Sequence, residues 1–231
     1  MIPIGDDDSG RRLTPFVTYA LIALNVLVFL LELGQGSEAQ LQNFFEKWSV
    51  VPREYAEQTD LPPGIPLPFW FTLFSSMFMH GGWMHLIGNM LYLWVFGDNV
   101  EDRWGHVKFL VIYLICGITA SFAHIFFNLQ STIPSLGASG AISGVLGAYI
   151  IMFPRNRIRV LVGRGIASLP AVVVLGFWIV LQFINQLGQI GNTAETAGVA
   201  YWAHIGGFLA GVLFAFVLRP SQASVQRVQS V

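Results

Sequence analysis

The amino-acid sequence predicts an all-α, polytopic membrane protein with six transmembrane helices. Hydrophobic residues make up 54% of the 231 residues and charged residues only 11%, a composition that suits a bilayer better than water. A hydrocarbon core about 30 Å thick requires roughly 20 apolar residues in a helix. Six segments meet or nearly meet that requirement: 14–33, 83–97, 107–127, 139–153, 168–186 and 200–218.

The charged residues predict how these spans are oriented. Six spans place both termini on one side of the membrane, and ten basic residues fall on that side: Arg11, Arg12, Arg103, Lys108, Arg155, Arg157, Arg159, Arg164, Arg219 and Arg227. Only Lys47 and Arg53 fall opposite. Because cytoplasmic loops are enriched in Lys and Arg, we expect 1–13 and 219–231 to be solvated cytoplasmic tails. Spans two, four and six then begin at the extracytoplasmic face.

The first loop, from about residue 35 to 79, is too long to be a simple connection. Several of its side chains would sit comfortably at the depth of lipid headgroups: Leu41, Phe44, Phe45, Trp48, Phe69, Trp70 and Phe71. We therefore expect this loop to associate with the outer leaflet. The net charge is −1 and the basic residues are scattered, so the sequence predicts a lipid partner and no nucleic-acid partner.

Polar side chains inside a span are costly and by default mark function. His85 and Asn89 stand four residues apart at the start of span two, Ser139 opens span four, and His204 lies near the start of span six. Span four has only about 15 residues before the basic cluster, or roughly 22 Å of helix, so it begins below the outer surface. The same helical rise places all four side chains at a similar depth.

Small residues indicate that these spans pack closely. Two small-xxx-small pairs allow helix backbones to approach each other: Gly140 with Gly144, and Gly207 with Gly211. Ser139 could then reach His204, and a histidine within hydrogen-bonding distance can activate a serine hydroxyl as a nucleophile. The helix N-terminus at Ser139 would stabilise a developing oxyanion, and His85 and Asn89 can donate to it.

The remaining polar residues narrow the chemistry further. No Asp or Glu lies in the body of a span, apart from Glu32 at the very end of the first, which predicts a Ser-His dyad without an acidic third member. The same absence argues against a paired-aspartate site, and no HExxH motif is present for zinc. Span five carries three amides near its outer end, Gln182, Asn185 and Gln186.

These motifs resemble the rhomboid family of intramembrane serine proteases, in its bacterial type with six spans. The GxSG motif is Gly137 to Gly140, the second-span pattern is His80, His85 and Asn89, and the sixth-span AHxxGxxxG is Ala203, His204, Gly207 and Gly211. The resemblance implies that Ser139 is the nucleophile and His204 the base. It implies that His85 and Asn89, with the Ser139 amide, form the oxyanion hole, supported by Gly137, Gly140, Gly207 and His80.

The resemblance also implies transmembrane-protein substrates cut near the extracytoplasmic face, and no metal, ATP or soluble cofactor. A bacterial cytoplasmic membrane is the expected location. One position departs from the family pattern: many members carry a Trp-Arg pair in the first loop, and the matching residues here are Trp70 and Phe71. This departure leaves an alternative open, a catalytically silent member that binds client helices. The sequence does not predict the oligomeric state.

Overall fold

A computed structural model describes residues 1–189 and 200–218. Nine α-helices are present in this part of the chain: α1 (Phe16–Leu33), α2 (Glu38–Trp48), α3 (Pro52–Glu57), α4 (Thr72–Ser75), α5 (Trp83–Trp104), α6 (His106–Phe127), α7 (Ser139–Met152), α8 (Ala171–Gln189) and α9 (Tyr201–Val217). The three strands are β1 (Ile2–Gly5), β2 (Arg157–Val162) and β3 (Gly165–Pro170). The tail predicted for 219–231 lies outside the described residues.

The predicted helical membrane bundle is confirmed. Helices α1, α6 and α8 are each long and apolar enough to cross a membrane, whereas α7 and α9 are apolar but shorter. Helix α5 has 22 residues and extends to Trp104, seven positions beyond the end predicted from hydropathy. The described part of the first loop contains α2, α3, α4 and two short 3-10 turns.

Helix α7 lies at the centre of the bundle and packs mainly against α9. Ten of its 14 residues are buried. Glycines on both helices allow their backbones to meet, since a Cβ atom on Gly207 or Gly211 would overlap the carbonyl group of Gly140 or Gly144. The predicted close approach of these two helices is therefore present, and it leaves no room for any larger residue at the contact.

A three-stranded antiparallel sheet accompanies the bundle, with strand order β1-β2-β3. Sequence analysis missed it, and the predicted start of span five at residue 168 was wrong because 168–170 belong to β3. Strands β2 and β3 form a hairpin in which Ile158 and Val160 are buried and Arg157 and Arg159 are not. This alternation of apolar and charged residues is the usual signature of a half-buried strand.

The N-terminal segment is also not the free solvated tail that was expected. Ile2 and Pro3 pair with Leu161 and Val160 of β2. Further along, the backbone amides of Arg12 and Leu13 donate to the carboxylate of Asp102. The segment is ordered because its polar groups find specific partners at the end of α5 and in β2.

Glu101 explains how α1 begins next to the end of α5. Its fully buried carboxylate accepts hydrogen bonds from the backbone amides of Val17 and Thr18 at 2.9 and 2.7 Å, and from the Thr18 hydroxyl at 2.7 Å. These amides belong to the first turn of α1 and have no partner within the helix. His106 Nδ1 lies 2.5 Å from the same carboxylate. Glu101 thus caps α1 and joins α1, α5 and α6.

Asp6 holds the N-terminal segment against α5 and α7. Its carboxylate accepts hydrogen bonds from the Tyr149 hydroxyl at 2.5 Å and from Asn99 Nδ2 at 2.7 Å. Burial raises the pKa of Asp6 to about 7, and repulsion from Asp98 and Asp8 adds to the rise, although both hydrogen bonds oppose it. Because the ordinary pKa is 3.8, Asp6 favours the folded state most below about pH 4, and this contribution is lost as the pH rises through about 7.

Replacing Asp6 with asparagine should therefore remove a pH dependence of stability. We expect the thermal unfolding midpoint of the wild-type protein in detergent to fall between about pH 5 and pH 8, and that of Asp6→Asn to fall less, because the substituted amide does not titrate. Asp7→Asn is the control, since Asp7 is exposed and its pKa is already lowered by Ser9. An equal slope in wild type and Asp6→Asn would contradict this account.

The contact between α7 and α9 predicts a second stability effect. Gly211→Ala places a methyl group against the backbone of Gly144, which should cost about 1–3 kcal/mol or more, because a backbone cannot move aside as a flexible side chain can. Gly176→Ala in α8 is the matched control, since its added methyl group meets nothing within 4 Å. Thermal unfolding in detergent should show a clear loss for the first variant only, and equal midpoints would contradict the packing described.

Candidate active site

Ser139 is the first residue of α7, directly after a turn that requires glycine. Gly137 has φ +127°, a conformation that side chains other than glycine rarely adopt. Its backbone amide donates to the carbonyl oxygen of Ser76 at 2.8 Å, which holds the turn in place. Ser139 is thus presented at a helix N-terminus, where backbone N–H groups lack partners within the helix.

His204 lies in the first turn of α9 and contacts this serine. Its Nε2 atom is 2.9 Å from Ser139 Oγ, a hydrogen-bonding distance between groups 65 positions apart in the sequence. The imidazole also lies beside Trp178, with ring centroids 5.8 Å apart. The geometry allows the serine hydroxyl to donate to a neutral imidazole, which is the arrangement needed for a histidine to act as a general base.

Gln182 of α8 contacts the other nitrogen of the same ring. His204 Nδ1 is 2.8 Å from Gln182 Oε1, and the Gln182 side chain is buried. Sequence analysis noted this amide in span five but gave it no role. In the sequence, Gln182 stands out only as a polar residue within an apolar helix. That pattern does not identify its partner on another helix.

His85 and Asn89 of α5 lie on the other side of the turn at Gly137. A Cβ atom on Gly137 would lie 2.8 Å from His85 Nε2 and 3.7 Å from Asn89 Nδ2. The structure therefore brings both side chains to the residue two positions before Ser139. Each carries N–H groups that can donate to an oxygen atom developing beside the serine.

His80 stands behind Asn89, in the segment that precedes α5. Its Nε2 atom is 2.9 Å from Asn89 Nδ2, and its ring lies 5.0 Å from that of His85. The backbone amide of His80 donates to the Glu32 carboxylate at 3.0 Å. Glu32 is buried at the end of α1, so the one acidic residue noted in a span fixes the position of His80. Sequence analysis did not connect these two residues.

A small cavity of about 30 Å³ lies beside Ser139, lined also by Ser76, Gly137, Gly140 and Ala203. This volume is enough for a water molecule. The site therefore combines a hydroxyl, an imidazole, several N–H donors and space for water. Hydrolysis through a serine nucleophile needs each of these components.

A second polar cluster lies away from this site. Asp6, Asp8 and Asp98 place carboxylate oxygens within 4.8 Å of one another. Protein groups already contact two of them, since Arg11 pairs with Asp98 and Asn99 donates to Asp6. Asp98 is 13 residues along α5 from His85, or roughly 20 Å of helix. The cluster is therefore not part of the serine site.

The position of Phe71 bears on the one departure from the family pattern. Its ring packs near that of Phe74, with centroids 6.3 Å apart. The surrounding loop is held by other groups: Ser75 donates to the carbonyl oxygen of Trp48 at 2.6 Å, and the hydroxyls of Tyr55 and Thr72 lie 2.6 Å apart. The loop thus has anchors of its own, and none of these contacts involves the Ser139 and His204 pair.

The sequence model of the rhomboid domain family matches residues 68–221, which include every site residue described above except Glu32. This chain belongs to the rhomboid family. The rhomboid protease GluP of Bacillus subtilis (strain 168) is 36% identical over 180 residues, or 77% of this chain and 33% of the relative. Rhomboid protein 1, mitochondrial, of Saccharomyces cerevisiae is 28% identical over 206 residues, or 87% of this chain and 53% of the relative.

A plant rhomboid shows the same range of similarity. RHOMBOID-like protein 5 of Arabidopsis thaliana is 31% identical over 147 residues, or 63% of this chain and 43% of the relative. This chain thus spans about a third to a half of the length of these relatives. With its apolar helices, membership of the rhomboid family makes the protein an integral membrane protein.

The turn before Ser139 gives a direct test of the site geometry. Gly137→Ala should reduce the rate at which a fluorophosphonate labels Ser139 by about tenfold or more, because φ +127° strains alanine and the new methyl group overlaps the His85 ring. Gly81→Ala, whose added methyl group meets nothing within 4 Å, is the control. Unchanged labelling of Gly137→Ala, in protein of normal thermal stability, would contradict the geometry described.

Proposed function

We propose that this rhomboid is an intramembrane serine endopeptidase that uses Ser139 and His204 as a catalytic dyad. The observation that carries the proposal is the 2.9 Å distance between His204 Nε2 and Ser139 Oγ, at a helix N-terminus within a bundle of apolar helices. Similarity to relatives named as rhomboid proteases supports the same reaction class. The proposed substrates are membrane proteins cut in or next to a transmembrane segment.

The first half of the reaction forms a covalent intermediate. His204 Nε2 takes the proton of Ser139 as Oγ attacks the carbonyl carbon of the substrate peptide bond. The tetrahedral intermediate then collapses as the C–N bond breaks, and the His204 imidazolium gives its proton to the leaving amine. The products of this half are an acyl-enzyme ester on Ser139 and one released fragment.

Water completes the reaction through the same two residues. His204 takes a proton from a water molecule, whose oxygen attacks the ester carbonyl, and it then returns a proton to Ser139 Oγ as the second fragment leaves. The cavity beside Ser139 provides room for that water close to the ester. The reaction balances with a peptide bond and water as its only reactants.

The negative charge of each tetrahedral intermediate needs hydrogen-bond donors that are already in place. We propose that His85, Asn89 and the backbone amide of Ser139 supply them. Contact of His85 with Gly137 and of Asn89 with His80 supports this assignment, because both side chains are held in position before substrate arrives. The positive end of the α7 dipole acts in the same direction.

The proposed site opens toward the extracytoplasmic side, and fragments are released there. The support is the excess of basic residues in the segments assigned to the cytoplasmic side and the position of Ser139 at the opposite end of α7. A substrate helix must unwind before Ser139 can attack its carbonyl group, so helix-breaking residues near the cut should favour cleavage.

The alternative function, a catalytically silent protein that binds client helices, rested on Phe71. The contacts of Phe71 give that alternative no further support.

The test is turnover of a fluorogenic transmembrane substrate by purified protein in proteoliposomes. Ser139→Ala and His204→Ala should each reduce the rate by at least about 10³-fold, because neither residue alone forms an activated nucleophile. Ser143→Ala is the matched control, since Ser143 lies one turn further along α7 and donates to the Ser139 carbonyl oxygen. It should keep most of the activity.

Two results would reject the proposal. One is turnover that survives Ser139→Ala and His204→Ala. The other is wild-type protein that neither cleaves substrates nor reacts with a fluorophosphonate, which is the behaviour expected of the silent alternative.

A further inference from the structure

Both ring nitrogens of His204 have partners, and the two partners lie on different helices. Nε2 is 2.9 Å from Ser139 Oγ in α7, and Nδ1 is 2.8 Å from Gln182 Oε1 in α8. A neutral imidazole carries a proton on only one of these atoms. Whether Nε2 is free to accept the serine proton therefore depends on what Nδ1 contacts.

The Gln182 amide has a second contact that favours this orientation. Its Nε2 group donates to the carbonyl oxygen of Trp178, one turn earlier in α8, at 3.4 Å. With the amide nitrogen occupied there, the amide oxygen faces His204. A carbonyl oxygen only accepts hydrogen bonds, so His204 must carry its proton on Nδ1 and leave the lone pair of Nε2 directed at Ser139.

We propose that Gln182 is a positioning residue that fixes the tautomer and ring orientation of His204. The proposal rests on the dyad function proposed above and extends it to a third residue. In serine proteases with a triad, a carboxylate holds the histidine in this way. Here a neutral amide takes that place, and an amide is far less costly to bury within a membrane than a carboxylate.

The proposal also makes α8 part of the active site. Gln182 reaches His204 only while α8 is packed beside α9, so moving α8 outward would break the hydrogen bond to Nδ1. The imidazole would then be free to rotate or to change tautomer, and an imidazole with its proton on Nε2 could not accept the proton of Ser139 there. The dyad is therefore competent only in the packed arrangement of three helices, although it consists of residues from two.

The surroundings of His204 allow its contact with residue 182 to be tested by introducing a negative charge at that position. The titratable side chains that act on His204 are His85 of α5 and His124 of α6, and Tyr201 lies beside it in α9. A carboxylate introduced at position 182 would therefore be the only acidic group in contact with His204 among the residues described. Its effect on the imidazolium should be visible in the pH profile.

The experiment compares Gln182→Leu and Gln182→Glu with wild type in proteoliposomes. Gln182→Leu keeps a similar volume and removes the acceptor, so kcat should fall about tenfold with KM nearly unchanged, since one neutral hydrogen bond is lost. Gln182→Glu keeps an acceptor, so it should retain more activity than leucine. Its acidic limb should move to higher pH by about one unit, because the carboxylate stabilises the imidazolium. Asn185→Leu, at an exposed position of the same helix, is the matched control.

A spectroscopic measurement separates positioning from folding and from turnover. In protein with ¹⁵N-labelled histidine, assigned by comparison with His204→Gln, wild-type His204 should show a protonated Nδ1 and an unprotonated Nε2. Gln182→Leu should show a mixture of tautomers while its thermal unfolding midpoint does not fall. Because this signal does not depend on catalysis, it tests Gln182 even if the wild-type protein proves inactive, a result that would reject the proposed function separately.

Three results would overturn the role of Gln182. The first is a wild-type His204 with its proton on Nε2. The second is a Gln182→Leu variant with full kcat and an unchanged tautomer. The third is a Gln182→Glu variant with normal activity and an acidic limb identical to that of wild type, because a side chain that only fills space would give that result.

Discussion

The contact between the backbones of α7 and α9 is the constraint on which the site depends. Ser139 and His204 each lie near the start of one of these helices, so the spacing of the two helices sets the distance between the two side chains. Glycines at the contact remove the side chains that would hold the helices apart. Helix packing in lipid relies on such small residues because burial of apolar surface gives little driving force there.

Around this contact, the other elements hold the polar groups in place. The carboxylate of Glu32 anchors His80, and His80 in turn contacts Asn89. From the opposite side, Gln182 contacts His204. Each of these side chains makes at least one hydrogen bond within the protein, which reduces the cost of burying it where water is scarce. The site thus contains two sets of hydrogen bonds, one from Glu32 of α1 to Asn89 of α5 and one from Ser139 of α7 through His204 to Gln182 of α8.

Much of the fold and of the candidate site could be predicted from the sequence, and the features that were missed have physical reasons. Hydropathy located six apolar segments that correspond to helices of the bundle, because lipid favours apolar side chains, and the scarcity of polar side chains in those segments marked Ser139, His204, His85 and Asn89. Hydropathy ended the second span at 97 because Asp98 and Glu101 follow. Helix α5 continues because Glu101 is paired with α1, a tertiary contact that no local pattern contains.

Sequence analysis missed the sheet and the role of Gln182 for the same reason: their contacts join residues that are distant in the sequence.

The pairing of Ile2 with Leu161 also carries a consequence for biogenesis. Because the ribosome makes the chain from the N-terminus, β1 must wait unpaired until the hairpin of β2 and β3 has emerged. By then α1, α5, α6 and α7 have already been synthesised. Closure of the sheet is therefore a late step of high contact order, and the sheet can form only if the start of α1 and the end of α7 lie on the same side of the membrane. A chain inserted with the start of α1 and the end of α7 on opposite sides would lack the pairing of β1 with β2.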